Sequence, residues 1–182
     1  MARKESITKQ MIIDGAFEML KQEGVEAVTA RKLAAHIGCS TQPIFRVYEN
    51  MDELLTELFE RARAYYEDFC NSNKNSYDTP FVSLGINYIR FAKKEQNLFK
   101  LLFLSGNKNH TLYELINGKE NAFVMKEIKK IPNLNMDNVE LIFTKVFIFM
   151  HGMAGMTITG EFDLSDKEAE DMLKDAIKGF IG

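Results

Sequence analysis

Side chains suited to specific recognition of nucleic-acid bases gather in one short segment, GCSTQPIFRVYEN, residues 38–50. If this segment is helical, successive residues turn by about 100° and fall on two sides. One side is apolar: Ile44, Val47 and Tyr48. The other is mixed polar and aromatic: Gln42, Phe45, Arg46 and Glu49. Because glutamine and arginine can form paired hydrogen bonds with purine edges in the major groove, the second side has the composition of a DNA-reading surface.

A proline inside this segment decides whether it can be a helix. With Ser40 as the N-cap, Pro43 takes the third helical position, inside the first turn. Backbone amides there have no carbonyl partner within the helix, so the hydrogen that proline lacks costs nothing. A short helix over residues 30–37 is predicted before it, capped by Thr29 and ended by Gly38. Two short helices joined by a tight turn predict a helix-turn-helix, although an ordinary α-helical bundle can show the same pattern.

The remaining elements are also predicted to be helical. Apolar residues recur at spacings of three and four along the chain and strand patterns are almost absent, so the predicted fold is all-α with about nine helices. Besides the two above, helices are predicted over residues 6–23, 51–70, 80–94, 97–104, 110–130, 137–158 and 165–180. The helix that begins at Met51 follows a capping-box pattern made by Asn50 and Glu53.

Composition and charge fit a folded protein with no marked nucleic-acid or membrane bias. The 182 residues are 46% hydrophobic and 27% charged, with a formal net charge of −3. Residues 1–50 carry +1 and the remainder −4, so the N-terminal part is relatively basic. Two cysteines without metal-ligand spacing fit a reducing compartment. With no apolar signal segment and no apolar run of the roughly 20 residues that a span requires, we expect a cytoplasmic protein without a membrane partner.

The whole stretch of residues 7–55 resembles the N-terminal DNA-binding domain of the tetracycline-repressor (TetR) family of bacterial transcriptional regulators. The positions that carry the resemblance are Ile12, Ala16, Leu20, Gly24, Thr29, Leu33-Ala34, Gly38-Cys39-Ser40, Ile44-Phe45, Tyr48 and Asn50-Met51-Asp52-Glu53-Leu54. The resemblance implies a helix-turn-helix DNA-binding domain over residues 1–50 and a ligand-binding and dimerisation domain over residues 51–182. It also implies a repressor that binds a near-palindromic operator as a homodimer and is released by a small effector.

The resemblance assigns roles to particular side chains. Base-facing positions fall on Arg31, Thr41, Gln42 and Pro43, and phosphate anchors on Thr29 and the start of the helix at Met51. The candidate DNA interface as a whole is Thr29, Arg31, Ser40, Thr41, Gln42, Pro43, Phe45, Arg46, Tyr48 and Lys4.

Three positions depart from the family pattern, and each loses a phosphate donor. Phe45 replaces the usual Tyr, Val47 a second Tyr or His, and Met51 a Lys. We therefore expect weaker nonspecific affinity, or compensation by the remaining cations Arg3, Lys4, Lys9 and Arg46.

The C-terminal part is similar to one TetR subgroup in NYIRFAKKEQNLFKLLFLSG, residues 87–106, and MHGMAGM, residues 150–156. The penultimate helix is apolar nearly all round, so it must be covered on two sides. A partner subunit is one explanation and a position at the centre of a monomer core is the other. The predicted dimer residues are Val139, Ile142, Val146, Gly152, Met153, Met172 and Ile177.

Aromatic and methionine side chains in the same part suggest walls for a small apolar effector: Phe69, Phe91, Phe99, Phe103, Phe147 and Met150. For each of them taken singly, plain core packing is the alternative explanation and the commoner one. His151 is the polar candidate for holding the effector, with a hydrogen bond to a backbone carbonyl as the alternative.

Motifs for catalysis are missing from the sequence, and neither a cofactor nor a metal is predicted. The three histidines are far apart, and the spacing of His110 and Glu114 is common by chance. There is no nucleophile elbow, glycine-rich phosphate loop or HExxH motif. We therefore expect that the protein is not an enzyme. A helical adaptor without DNA affinity is the remaining alternative.

Overall fold

The computed structural model describes residues 7–73, 80–105 and 139–181, and the elements within these ranges are helical. They are α1 (Lys9–Glu23), α2 (Ala30–His36), α3 (Gln42–Val47), α4 (Met51–Ser72), α5 (Pro80–Lys94), α6 (Gln96–Phe99), α7 (Val139–Thr159) and α8 (Asp166–Ile181). A 3₁₀ turn, Val25–Ala27, follows α1, and a π-helical turn, Lys100–Leu104, continues α6. The all-α prediction is confirmed. The predicted helix over residues 110–130 lies outside the described residues.

Packing divides the chain into two units. The first contains the described residues up to Tyr66 together with Asn97–Ser105, and the second contains Glu67–Gln96 with the described residues from Val139 onward. The division falls inside α4, so this helix contributes residues to both units. Packing therefore gives the first unit more residues than the helix-turn-helix domain over residues 1–50.

Helix α1 forms the core of the first unit. The hydroxyl of Thr8 caps it by accepting a hydrogen bond from the amide of Met11 at 3.2 Å. Along α1, Ile12, Ala16 and Leu20 repeat at intervals of four and are fully buried. Gly24 ends the helix with a φ of 87°, a left-handed value that glycine adopts without strain.

Helix α3 begins later than the sequence predicts. Thr41, rather than Ser40, precedes the first helical residue, so Pro43 is the second helical position instead of the third. Both positions lie in the first turn, where proline leaves no hydrogen bond unmade. Because proline is tolerated at both positions, the sequence does not distinguish the two starting points.

Helices α5, α7 and α8 pack together in the second unit. Their core includes Ile86, Phe91, Ala154 and Leu173, all fully buried. At Gly85 the helices approach so closely that an added Cβ would lie 2.4 Å from Cδ2 of Leu173. Outside this core, the guanidinium of Arg90 donates to the Asp166 carboxylate at 2.7 Å and joins α5 to the start of α8.

Helix α7 is apolar on both its inner and outer sides. Val146 and Ala154 are buried within the unit, whereas Leu141 is 54% and Ile148 65% exposed. Among the described helices it alone has the length and composition to cross a membrane, a property that core helices of soluble proteins share. A broad apolar side of α7 is therefore not covered by the described residues.

Candidate nucleic-acid interface

Helix α1 supports the two short helices that follow it. At Gly15 an added Cβ would lie 2.4 Å from Cγ2 of Ile37, so glycine permits the close approach of the end of α2. Leu33 of α2 and Ile44 of α3 are fully buried in the same core. Because these side chains face inward, the orientation of α3 is fixed by packing against α1 and α2.

The four residues that helical periodicity predicted on the outer side, Gln42, Phe45, Arg46 and Glu49, are all exposed. The first three lie on α3, and Glu49 follows two residues after its end. Phe45 is 48% exposed, a large fraction for a phenylalanine. Ser40 is also exposed, while Thr41 and Pro43 are half-buried at the start of the helix. The outward side therefore combines two polar readers, an aromatic ring and one carboxylate.

Unpaired positive charge accompanies this surface. Arg31, Lys32 and Arg46 are exposed and form no ion pair with another described residue. Arg31 and Lys32 lie in the first turn of α2, where the hydroxyl of Thr29 accepts from the amide of Lys32 at 3.4 Å. Lys32 was missed as an interface candidate, although its place beside Arg31 in a capped first turn was a usable signal.

Tyr48 is not available for DNA contact, which corrects the sequence prediction. It is only 1% exposed and lies at the end of α3 among core side chains. The ammonium of Lys9 sits 5.3 Å from its ring centroid and also pairs with the Glu57 carboxylate at 2.7 Å. Burial, with the Glu57 carboxylate as a further cause, raises the pKa of Tyr48 well above its usual range. Tyr48 therefore packs in the core and helps to hold the end of α3 in place.

The start of α4 is also a poorer phosphate anchor than predicted. Asn50 caps the helix, with the amide of Glu53 donating to Asn50 Oδ1 at 2.9 Å. The reciprocal bond of the predicted capping box is shifted by one residue, because Glu53 Oε2 accepts from the amide of Glu49, at 2.6 Å, and not from that of Asn50. The first of these bonds occupies the Glu53 amide, one of those that could face an anion. Asp52 and Glu53 add two carboxylates to the first turn, and negative charge there opposes a phosphate.

Lys4 and Lys9 were also predicted to supply positive charge to the interface, but neither supplies an unpaired charge among the described residues. Lys4, like Arg3, lies outside the described residues. Lys9 is engaged with Glu57, so a role in compensating for the missing phosphate donors would require that ion pair to break.

The predicted effector-binding residues fall into separate groups. In the first unit, Phe99 and Phe103 pack against each other, with ring centroids 4.8 Å apart, and Tyr66 adds an edge contact to Phe103. In the second unit, Phe69 of α4 meets Phe91 of α5 at 5.3 Å. The structure therefore assigns Phe99 and Phe103 to the unit that contains the helix-turn-helix.

The third group lies between α5 and α7 and contains His151. Its imidazole stacks on Phe147 with centroids 5.7 Å apart, and its Nδ1 is 2.8 Å from the hydroxyl of Tyr88. Burial lowers the pKa of His151 and raises that of Tyr88, so the tyrosine donates and the neutral imidazole accepts. Met150 lies close by, with its sulfur 3.4 Å from where a Cβ on Gly85 would be.

On the side of α5 that faces the end of α4, two buried polar atoms have no hydrogen-bond partner among the described residues. Ser83 and Asn87 are one turn apart and almost wholly buried. Ser83 Oγ and Asn87 Oδ1 have no hydrogen-bond partner among the described residues, while Asn87 Nδ2 donates to the carbonyl of Cys70 at 3.4 Å. A buried polar atom of this kind is costly unless water or a ligand satisfies it.

Most of the predicted dimer residues face their own chain, which corrects the choice of surface. Five of the seven are buried within the second unit: Val139, Ile142, Val146, Met153 and Ile177. Gly152 and Met172 are exposed. With both sides of α7 apolar, periodicity could not tell the inner side from the outer one.

No group of three or more potential metal ligands occurs among the described residues. His36 lies 3.3 Å from the Glu18 carboxylate on the surface of the first unit. The pair His110 and Glu114 falls outside the part of the chain that the structure describes.

In a helix-turn-helix domain, a short helix is supported by other helices and directs side chains outward to contact bases. Helices α1, α2 and α3 have this arrangement, with polar and aromatic side chains on the outer side of α3. Residues 12–58 match the model of the family described as bacterial regulatory proteins, tetR family. Residues 12–58 therefore carry the N-terminal domain of this family.

Curated relatives and solved structures agree with this assignment. An HTH-type transcriptional repressor of Mycobacterium tuberculosis and an uncharacterized HTH-type transcriptional regulator of Mycobacterium bovis are each 26% identical over 83 residues. The match covers 46% of this chain and spans only 28% of either relative.

Similar folds extend along nearly the whole chain. A TetR-like transcriptional regulator from Rhodococcus sp. RHA1 superposes with a TM-score of 0.71 at 14% identity, covering 99% of each chain. MexZ, a key repressor responsible for antibiotic resistance in Pseudomonas aeruginosa, gives 0.66 at 19% identity and covers 94% of both chains. SmeT, the repressor of a multidrug efflux pump of Stenotrophomonas maltophilia, gives 0.59 at 15% identity, covering 95% of this chain and 89% of its own.

Proposed function

We propose that the protein is a cytoplasmic transcriptional repressor that binds a near-palindromic DNA operator as a homodimer and releases it when a small, mainly apolar effector binds. The observation that carries the proposal is the outward side of α3, where Gln42, Phe45 and Arg46 are exposed on a helix fixed by a buried core. The family assignment supports the same reading, because a helix-turn-helix places such a helix in the major groove.

Within this proposal, Gln42 and Arg31 read base edges while Lys32 and Arg46 neutralise phosphates. Glutamine pairs with adenine through N6 and N7, and arginine with guanine through O6 and N7. Thr29 keeps its hydroxyl hydrogen for a phosphate while its oxygen caps α2. Ser40, Thr41 and Pro43 complete the surface at the start of α3.

Dimerisation is proposed through the outer side of α7. Leu141 and Ile148 lie seven residues apart on one face, and Gly152 continues that face by another turn. No described atom lies within 4 Å of where a Cβ on Gly152 would be, so a partner helix has room for close approach. Met172 of α8 is exposed as well and would extend the interface. Two α3 helices about 34 Å apart would then reach successive major grooves.

The effector is proposed to bind the second unit, where Phe69, Phe91 and the group around His151 supply apolar walls. The unsatisfied Ser83 Oγ and Asn87 Oδ1 favour a molecule that also carries a hydrogen-bond donor. Helix α4 contributes residues to both units, so a tilt of α4 on effector binding would change the spacing of the recognition helices.

Selection of duplexes from a random DNA library by the purified protein tests this function. We expect enrichment of a motif with twofold symmetry whose half-sites are centred about one helical turn apart, or a multiple of it. Failure to enrich any sequence at low salt would favour a helical adaptor without DNA affinity. An effector found by screening small apolar molecules must weaken binding to the selected operator; unchanged affinity at saturation would contradict the release mechanism.

A further inference from the structure

Phe45 is an exposed aromatic ring in a unit that buries its other phenylalanines to a greater degree. Among the described residues of the first unit, Phe17, Phe59 and Phe99 are buried and Phe103 is half-buried, whereas Phe45 is 48% exposed. No described ring or cation contacts it. Packing of the unit therefore does not explain why a phenylalanine occupies this position.

The neighbours of Phe45 identify what it would meet. It shares the outer side of α3 with Gln42, three residues before it, and Arg46, the next residue. The ring has no hydrogen-bonding group, so it can neither bind a phosphate nor read a purine edge. The one apolar feature that a base presents in the major groove is the 5-methyl group of thymine, which phenylalanine side chains contact.

We infer that Phe45 is a specificity-determining residue that recognises the 5-methyl group of a thymine in each operator half-site. This inference rests on the proposed DNA binding and adds to it the identity of one base. Phe45 stands where the family pattern has a tyrosine. Without the tyrosine hydroxyl, a phosphate contact that is independent of sequence is lost, and contact of the ring with a methyl group replaces it with one that depends on a particular base pair.

The geometry also limits where this thymine lies. Side chains three residues apart on a helix are about 5–6 Å apart at Cβ. Base pairs rise by about 3.4 Å. Phe45 should therefore contact a thymine one to two base pairs away from the adenine that Gln42 reads, on either strand.

Replacement of single thymines by deoxyuridine removes only the methyl group and tests the inference on the unaltered protein. With the selected operator, fluorescence anisotropy titrations at fixed salt should show one thymine position per half-site whose replacement weakens binding about fourfold, the effect of one buried methyl. Other thymines should be insensitive. Tight binding to the operator with no sensitive thymine would overturn the inference while leaving the proposed function intact.

Variants at position 45 then assign the methyl contact to Phe45. Phe45→Ala should bind the thymine and deoxyuridine operators equally, because its contact is already lost, whereas Phe45→Tyr should keep the preference for thymine. Gln42→Ala is the matched control on the same helix face and should also keep it. If Phe45→Ala retained the full preference, another residue would be the reader and the inference would be wrong. If no duplex is bound at all, the inference and the proposed function fall together.

Discussion

Each exposed polar side chain of the helix-turn-helix has its own measurable signature. Gln42 and Lys32 both lie outward in the first unit, but only the glutamine can distinguish one base from another. Loss of a base reader should relax specificity at one base pair, whereas loss of a phosphate contact should weaken binding to all sequences alike. The roles assigned above can therefore be separated residue by residue.

Lys32→Ala should reduce the dependence of log affinity on log salt concentration by about one unit and weaken operator and random duplexes equally. Gln42→Ala should instead cost about 1–3 kcal/mol on the operator and leave the salt dependence unchanged. Titrations over a range of salt concentrations measure both. Lys100→Ala, which removes an exposed lysine outside the helix-turn-helix, is the control and should change neither. A salt dependence unaltered by Lys32→Ala would exclude that lysine from the interface.

His151 is expected to respond to pH in a direction set by its burial. Burial lowers its pKa below the usual 6.5, so the unfolded chain takes up a proton at higher pH than the folded protein does. The free energy of unfolding should therefore fall as pH drops below about 6.5, until the folded imidazole also becomes protonated. His151→Gln, which can still accept the Tyr88 hydroxyl, should lose less stability between pH 7 and pH 5. An imidazole pKa at or above 6.5 by NMR titration would contradict this.

Among the elements, the start of α4 shows most clearly how this chain differs from its family pattern. Asn50 caps the Glu53 amide, while Asp52 and Glu53 make the first turn acidic. Met51 occupies the place where the family pattern has a lysine. The cap stabilises the start of α4, whereas the two carboxylates weaken its attraction for DNA phosphates.

Met51→Lys should strengthen binding to all duplexes and increase the salt dependence by about one unit, because it restores a cation beside the proposed phosphate contacts. Ala64→Lys is the matched control, since Ala64 is exposed on the same helix but about 20 Å further along it. That distance exceeds the Debye length of about 8 Å at physiological salt. Equal effects of the two variants would show that net charge, and not the start of α4, controls affinity.

Caps and periodicity predicted most of the described elements because they are local properties. Gly24, Asn50 and the stripe of Ile12, Ala16 and Leu20 predicted the end of α1 and the start of α4 correctly, whereas α1 begins at Lys9 and not at residue 6. Tyr48 is instructive, because its helical position placed it on the apolar side although it was included in the candidate DNA interface. The structure agrees with the helical position.

Other features could not be read from the sequence, because they depend on which elements meet in space. The contact of Tyr66 with Phe103 depends on residues Asn97–Ser105 packing with the first unit, although they follow α5 in the chain. The inner side of α7 depends likewise on where α5 and α8 lie. Hydrophobic periodicity gives the sides of a helix but not their partners.

For the whole molecule, the apolar side of α7 that the described residues leave exposed is the feature that favours a dimer. Leu141→Glu combined with Ile148→Glu should give a folded monomer, because two carboxylates would have to be buried at the interface. Sedimentation analysis measures the change, and operator affinity should fall with it. Leu104→Glu alters a comparably exposed leucine in the first unit and should leave the dimer intact. A double variant that remains dimeric would place the interface elsewhere.

The central claim is that the outward side of α3 reads DNA, and one titration tests it most directly. The selected operator is titrated by the parent protein and by a double variant, Gln42→Ala with Arg46→Ala, which removes two exposed side chains and leaves the buried core unchanged. We predict that the parent binds the operator far more tightly than random DNA. The variant should remain folded, bind all duplexes more weakly through the loss of Arg46, and lose the part of the operator preference that Gln42 supplies. A variant that binds the operator as tightly and as selectively as the parent would contradict the account.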